Sequence, residues 1–372
     1  MKMMGIVFSN IHDSDISEIT RQRTLASVPF CGRYRLIDFV LSNMANSGIT
    51  KVGVITKSNY QSLMDHLGSG KHWDLSRKNG GVIVLPPFGA EDSTALYHNR
   101  LDAIKGVMSF LLRSTEDYVI MSDCDNVCSL DIQDILDKHI ERAADITVVY
   151  NCAEVSAESN RTRIIFDIAE NGRVKKVRVL KKISGKQNKY LNIMCVSRLF
   201  LIKIIEDAIA QNLHSFSREV LVLNVDNYKI FGYNLTGYFA CIDSLQSYYR
   251  CNMEMLEKGK RTAVFHTKNF PIYTKVKDSP PTRYINDGIA SNSLIADACV
   301  IEGRVENSIL FRGVKVGEGA IVKDSIIMQD TIISRGAQLT AVIADKNVFL
   351  KEKRVLSGCA ELPYVIAKNS IL

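Results

Sequence analysis

Directly after an apolar run, Met4-Gly5-Ile6-Val7-Phe8, the chain reads Ser9-Asn10-Ile11-His12-Asp13-Ser14-Asp15-Ile16-Ser17-Glu18, with three carboxylates and no glycine. The apolar run reads as a buried first strand. A turn that follows such a strand and holds a phosphate needs glycine, because only bare backbone lets several N–H groups converge on phosphate oxygens. Carboxylates at that place repel the same oxygens. Acidic side chains are therefore expected where triphosphate chemistry requires amide donors. Structural zinc is not expected either. The nine cysteines lack CxxC spacing, Cys124 and Cys128 being the nearest pair, and the seven histidines lack HxxxH spacing.

The elements that must position these residues alternate along the first part of the chain. Lys51–Thr56, Gly81–Leu85, Tyr118–Met121 and Asp145–Val149 read as strands. Arg33 to Ser47 reads as a helix with Leu36, Ile37, Val40, Leu41 and Met44 on one face and Gly48 as its stop. Asn99 to Leu112 reads as a second helix, with Leu101, Ile104, Val107, Met108 and Leu111 in register. Such alternation, with nearly continuous apolar strands, predicts an α/β fold: a mostly parallel sheet with helices on both faces. Ligands of such sheets bind beyond the carboxyl ends of the strands.

Near Phe270 the text changes. Pro271 and Pro280-Pro281 mark an extended connector. Beyond it Ile321, Ile327, Ile333 and Leu339 recur every six residues, as do Leu294 with Val300 and Ile295 with Ile301. A six-residue apolar repeat is the signature of a parallel β-helix, expected to be left-handed. The expected division is 1–255 for the sheet domain, 256–285 for a linker and 286–372 for the β-helix. An acyltransferase built on such a β-helix commonly uses a histidine between coils, but the last histidine, His266, precedes the repeats.

Composition narrows the partners. Hydrophobic residues at 46% and charged residues at 23% suit a globular protein with two real cores. No apolar run approaches the ~20 residues that span a bilayer, and no cleavage site follows Met1-Lys2-Met3-Met4, so neither membrane nor secretion is expected. An odd number of cysteines fits reduced thiols in cytoplasm. The net charge of +7 comes without a long Lys/Arg block, so nucleic acid is not expected; a pocket for small anions is the better reading.

Val28-Pro29-Phe30-Cys31-Gly32-Arg33-Tyr34-Arg35-Leu36-Ile37-Asp38-Phe39-Val40-Leu41-Ser42-Asn43 closely resembles the V-P-F-G-G-K-Y-R-L-I-D-F-x-L-S-N segment of ADP-glucose pyrophosphorylases, the glucose-1-phosphate adenylyltransferases. Asn46-Ser47-Gly48-Ile49, Gly68–Leu75, Gly80–Pro87 and Gly237-Tyr238-Phe239 continue the match over nearly the whole chain. The resemblance implies a nucleotidyltransferase-like domain joined to a β-helix, and adenylyl transfer from ATP to glucose 1-phosphate with Mg²⁺. That chemistry is positioning plus charge stabilisation, and the parts that supply it are mostly replaced here. The family's G-G-x-G-x-R-L cradle aligns with Phe8–Asp13, and its lysine in R-A-K-P-A with Leu25; Arg21 and Arg23 remain of that basic cluster. In the S-G-D-H-I-Y-x-M-D segment, Asp125 keeps the position of a metal ligand, Asp123 standing by if the register slips; seen alone, such aspartates often merely cap the next helix. The second carboxylate of R-D-V-G-T falls on Cys241, and a thiol is a poor ligand for hard Mg²⁺. Asp243, two residues on, is a weak substitute. Sugar-phosphate contacts survive in part as Lys182 and Arg218, with Lys181 replacing a glutamate. The segment corresponding to G-T-A-D-A is Asp92–Ala95.

The losses gather where catalysis would occur, while the fold-bearing segments stay. The resemblance is therefore to the GlgD-type branch: a regulatory, catalytically deficient or weakly active subunit in glycogen synthesis, modulating a catalytic GlgC-type subunit, expected as a heterotetramer. An active sugar-phosphate nucleotidyltransferase with an atypical ATP loop is the alternative, and only that reading needs Mg²⁺. For a sugar-phosphate effector the candidates are Arg33 and Arg35, since the family places an activator-binding lysine at Arg33; an interdomain salt bridge accounts for the pair equally well.

Overall fold

The structure, a computed structural model, describes residues 2–86, 97, 99–155, 162–181 and 183–372. A nine-stranded sheet organises the first part of the chain. Met3–Phe8 is central, with Lys51–Ile55 and Tyr118–Asp123 parallel on either side and Gly81–Leu85 parallel beyond Lys51–Ile55. All six residues of Met3–Phe8 are buried, which explains an unbroken apolar run in place of alternation. Beyond Tyr118–Asp123 the direction reverses. Gly185–Ser197 lies antiparallel to it, to Ile146–Val155 and to Arg163–Ile168, while Ile230–Asn234 runs parallel to Ile146–Val155. The expected parallel order thus belongs to the half of the sheet that carries the amino-terminal strand.

Two helices differ from their expected bounds for local reasons. Tyr34 and Arg35 are not helical; they pair with Pro29-Phe30 in a two-stranded ribbon. The helix Leu36–Asn46 begins where the Asp38 carboxylate accepts the Arg35 N–H at 2.9 Å, and Gly48 at φ +76° ends it. The Asn99–Leu112 stretch forms two short helices, Arg100–Lys105 and Met108–Leu112, broken at Gly106-Val107.

The C-terminal part is a left-handed β-helix of three parallel five-stranded sheets. Val305, Val322 and Leu339 stack directly on one wall, as do Leu310, Ile327 and Ala344 on another. A full coil there takes 17 residues, so the inward position slips one residue per coil against a strict period of six. Ile327, Ile333 and Leu339 point into the coil core, but Ile321 is 37% exposed and its neighbour Val322 fills the inward place. Corner residues such as Gly313, Asp330 and Asn347 carry positive φ in successive coils.

One wall of the β-helix is apolar on both sides. Ile309, Ile326 and Ile343 face the sheet domain and pack with Phe30, Phe39, Tyr248 and Tyr249. The connecting stretch also joins this seam: the helix Lys258–Phe265 stacks Phe265 on Tyr34 with centroids 4.7 Å apart. Extended chain then crosses Leu36–Asn46, where the Tyr273 N–H donates to Ser42 Oγ at 2.8 Å. Among the described residues no helix is long and apolar enough to cross a membrane.

Candidate functional site

The site lies at the carboxyl end of Tyr118–Asp123. Asp123 ends that strand, and Asp125 follows it with no exposure. Asn126–Cys128 then pairs antiparallel with Phe239–Cys241, so that Cys241 stands opposite Asn126. This register brings Cys241 Sγ to 3.6 Å from Asp125 Oδ2. Asp131 has the other role that aspartates take after a strand: its Oδ1 caps Ile132–Glu141, accepting the Gln133 N–H at 2.9 Å.

Two residues not singled out from the sequence complete the floor. His12 Nε2 lies 2.9 Å from Asp123 Oδ2 and 4.0 Å from Asp125 Oδ2. Arg100 Nε donates to Asp123 Oδ1 at 2.9 Å, and its Nη2 donates to Asp123 Oδ2 and lies 3.1 Å from His12 Nε2. Burial pushes the Asp123 carboxyl upward, but Arg100 and His12 outweigh it and hold the group below the usual carboxylate range. A signal was present in the sequence. Arg100 is the first residue of a helix, where a cation opposes the helix dipole and must be justified by something else.

His12, Asp123 and Asp125 offer ligand atoms within 4.8 Å of one another. Mg²⁺ does not fit this set. Hard Mg²⁺ prefers oxygen ligands in near-octahedral array, whereas here one donor is imidazole, the second carboxylate position is a thiol, and both oxygens of Asp123 already accept from a guanidinium. At ~4 Å two unit charges of like sign repel by about 4 kcal/mol at an effective dielectric of about 20, and a dication by about twice that.

Above the floor opens a cavity of about 260 Å³ whose wall includes Arg163, Lys189, Tyr190, Ser217, Arg218 and Asp243. Arg218 is placed by the short helix Phe216–Val222, which Ser215 caps by accepting the Arg218 N–H at 3.3 Å. Asp243 thus shares the cavity with Cys241, as extended spacing predicts. Lys182 and Asp92–Ala95 lie outside the described residues.

The turn after Met3–Phe8 is closed by its own side chains. Asp13–Ile16 and Ser17–Thr20 form short helices, and Ile16 and Ile19 pack with Leu25, Val28 and Phe30. No residue from Ser9 to Thr20 has positive φ. Asp13 has a structural partner within the turn: its Oδ1 accepts the Leu25 N–H at 2.7 Å. Burial pushes its carboxyl up to about 7. The fold uses this acid as an internal brace.

The remaining cationic candidates sit at the domain junction. Arg23 is buried, and its Nη2 donates to both carboxylate oxygens of Asp345, at 2.8 and 2.9 Å. It is therefore neither a surface residue nor a phosphate ligand. Arg35 donates to the Ser62 carbonyl at 2.6 Å, and burial lowers its guanidinium to about 10. Lys346 lies beside Arg35, Arg23 and Lys277; burial, with these like charges, lowers it to about 7, Asp345 opposing. Arg33 is exposed, with its guanidinium 5.9 Å from the Tyr34 ring, and does not join this cluster.

A nucleotidyltransferase-type α/β domain seamed to a hexapeptide β-helix is the class that this fold and site define. Residues 15–178 match the nucleotidyl transferase family and residues 280–358 the GlmU-like C-terminal hexapeptide family. The chain is similar to the glycogen biosynthesis protein GlgD of Bacillus subtilis, 34% identical over 376 residues that cover 100% of this chain and 97% of the relative. It is 36% identical to GlgD of Geobacillus stearothermophilus over 398 residues, with the same coverage. The glucose-1-phosphate adenylyltransferase of Thermosipho melanesiensis is 32% identical over 86% of this chain and 78% of its own length. The chain belongs to the glucose-1-phosphate adenylyltransferase family, among whose members are the GlgD proteins.

Proposed function

We propose that this chain, a glycogen-biosynthesis protein of the glucose-1-phosphate adenylyltransferase family, is a regulatory subunit with little or no turnover of its own. It acts in the cytoplasm by joining a catalytic GlgC-type relative, in a heterotetramer, and shifting that relative's kinetics. The observation that carries the reading is the closed turn at Ser9–Thr20: without glycine or positive φ it presents no cradle, and Leu25 stands where a charged side chain would meet triphosphate. Each ~1.4 kcal/mol of lost transition-state contact is about tenfold in rate, so several missing contacts together abolish practical turnover.

The cavity with Arg163, Lys189 and Arg218 favours retained binding of a phosphorylated sugar. Arg35 and Lys346, beside the Arg23–Asp345 ion pair at the junction, favour an effector anion held between the domains, where binding biases the equilibrium shared with the partner. Arg35 is the stronger of the two original effector candidates, because Arg33 points elsewhere.

The purified chain should show at most a trace of ADP-glucose formation from ATP, glucose 1-phosphate and Mg²⁺, and should change the kcat or KM of a coexpressed catalytic relative. Robust turnover by the chain alone would instead identify an adenylyltransferase with an atypical ATP loop. Failure to co-purify, with the relative's kinetics unchanged, would remove the regulatory assignment.

A further inference from the structure

Asp123, Asp125 and His12 bring two buried carboxylates and an imidazole together beneath the cavity, which His12 and Arg100 line. Buried carboxylates need a counter-charge. The chain supplies one itself, since Arg100 holds both oxygens of Asp123 and approaches His12 at 3.1 Å. We propose that the Arg100 guanidinium is a built-in cation that takes the place of a divalent metal at this floor and excludes one from it.

The chemistry of the two cations differs in a way that suits a non-reacting site. A guanidinium neutralises charge through fixed, planar N–H donors and is not deprotonated. It cannot take phosphate oxygens into a coordination shell, so it holds the floor in one charge state whether or not an anion occupies the cavity. The walls still carry Arg163, Lys189 and Arg218, so an anion entering the cavity meets cations without needing a bridging metal. Arg100 also ties the helix Arg100–Lys105 to the end of the strand Tyr118–Asp123. A divalent ion would have to displace that tie.

This inference rests on reading the cavity as the family's reaction site, but not on the chain being inactive. Mn²⁺ titration followed by electron paramagnetic resonance therefore tests it apart from any turnover assay. The intact chain is expected to show no saturable Mn²⁺ site tighter than ~1 mM. Arg100→Ala should gain one site at least about tenfold tighter, and Arg100→Ala combined with Asp125→Asn should lose it again. Arg100→Lys, which keeps the charge, should bind no better than the intact chain. Should Arg100→Ala unfold, Arg100→Gln keeps the stem and a hydrogen-bonding head and should gain the same site. A tight Mn²⁺ site already present in the intact chain overturns the proposal. So does the lack of any gain in a folded Arg100→Ala or Arg100→Gln chain, because something other than Arg100 would then keep metal out.

Discussion

Asp13 and Leu25 trade the roles that a triphosphate site would give them. The carboxylate is half-buried and serves the backbone N–H of Leu25, and the leucine side chain fills the space beneath the turn. A largely desolvated acid of this kind ties stability to pH. Its folded value of about 7 lies above the ordinary 3.8, so the folded chain keeps a proton that the unfolded chain releases. Stability contributed at Asp13 is therefore present below about pH 4, falls as pH rises through that window, and is gone above about pH 7. Asp13→Asn keeps the acceptor for Leu25 and carries no charge. It should melt with the parent at about pH 4 and be more stable at about pH 8, by at most ~4 kcal/mol, since one unit of displacement is about 1.4 kcal/mol. Thermal melts at both pH values decide it; equal melting at pH 8 would contradict the burial of a charged form. At this scale the sequence carried some of the site and hid the rest. Leu25, Cys241 and the glycine-free turn are readable because each occupies a numbered place in a long motif. His12 and Arg100 are not readable as partners, because the contact joins positions 88 residues apart that only the sheet order brings together.

The seam between sheet domain and β-helix is an element-scale device, apolar across Ile309, Ile326 and Ile343 and charged at one end by Arg23 and Asp345. Both members of that pair are nearly fully buried. Removing one partner leaves the other as an unpaired buried charge, which costs about 3–5 kcal/mol, while replacing both with apolar groups of similar size is often close to neutral. Asp345→Asn and Arg23→Met should each lower stability strongly, and Arg23→Met with Asp345→Leu should cost less than the sum of the two single changes. A double-mutant cycle from denaturant melts measures the coupling; additive losses would mean that the pair does not bridge the domains. The elements themselves were largely legible. Apolar strands, the helix face of Leu36–Met44 and the recurring aliphatics follow from periodicity alone. The phase of the β-helix was not, because a coil of 17 residues moves the inward position and sends Ile321 outward. The start of the first helix was missed because Asp38 caps it from inside, leaving Arg35 in a ribbon that a helical pattern overruns. Arg23 and Asp345 lie 322 residues apart, and no local pattern links them.

For the whole molecule, the regulatory role proposed above would require that an anion bound at the junction alter how the two domains hold together. The groups facing that place are Arg23 and Arg35 from the sheet domain, with Asp38 and Asp65 beside Arg35, Lys277 from the connecting chain, and Asp345 and Lys346 from the β-helix. Asp345 is committed to Arg23, and Asp38 and Asp65 stand by Arg35, so the positive charge left over gathers about Lys346, where Arg35, Arg23 and Lys277 face it and Asp345 alone opposes. Lys346 records this excess, because burial and its neighbours depress it to about 7. With its value lowered from the ordinary 10.5, the folded chain gives up that proton readily above about pH 7, and an anion bound beside it would draw the proton back. Sulfate keeps its charge across this range and isolates the effect. Its binding to the intact chain should weaken by up to ~tenfold between about pH 6.5 and pH 8.5, since anion and proton bind together at Lys346. Lys346→Met should bind sulfate weakly at both values and lose most of that dependence. Arg33→Ala should behave as the intact chain does, because Arg33 lies exposed against Tyr34 and outside the cluster. Calorimetric titration of the three chains makes the comparison, with the cavity lined by Arg163, Lys189 and Arg218 common to all. Identical pH dependence in Lys346→Met would place the anion elsewhere, and the junction would then be a plain structural seam.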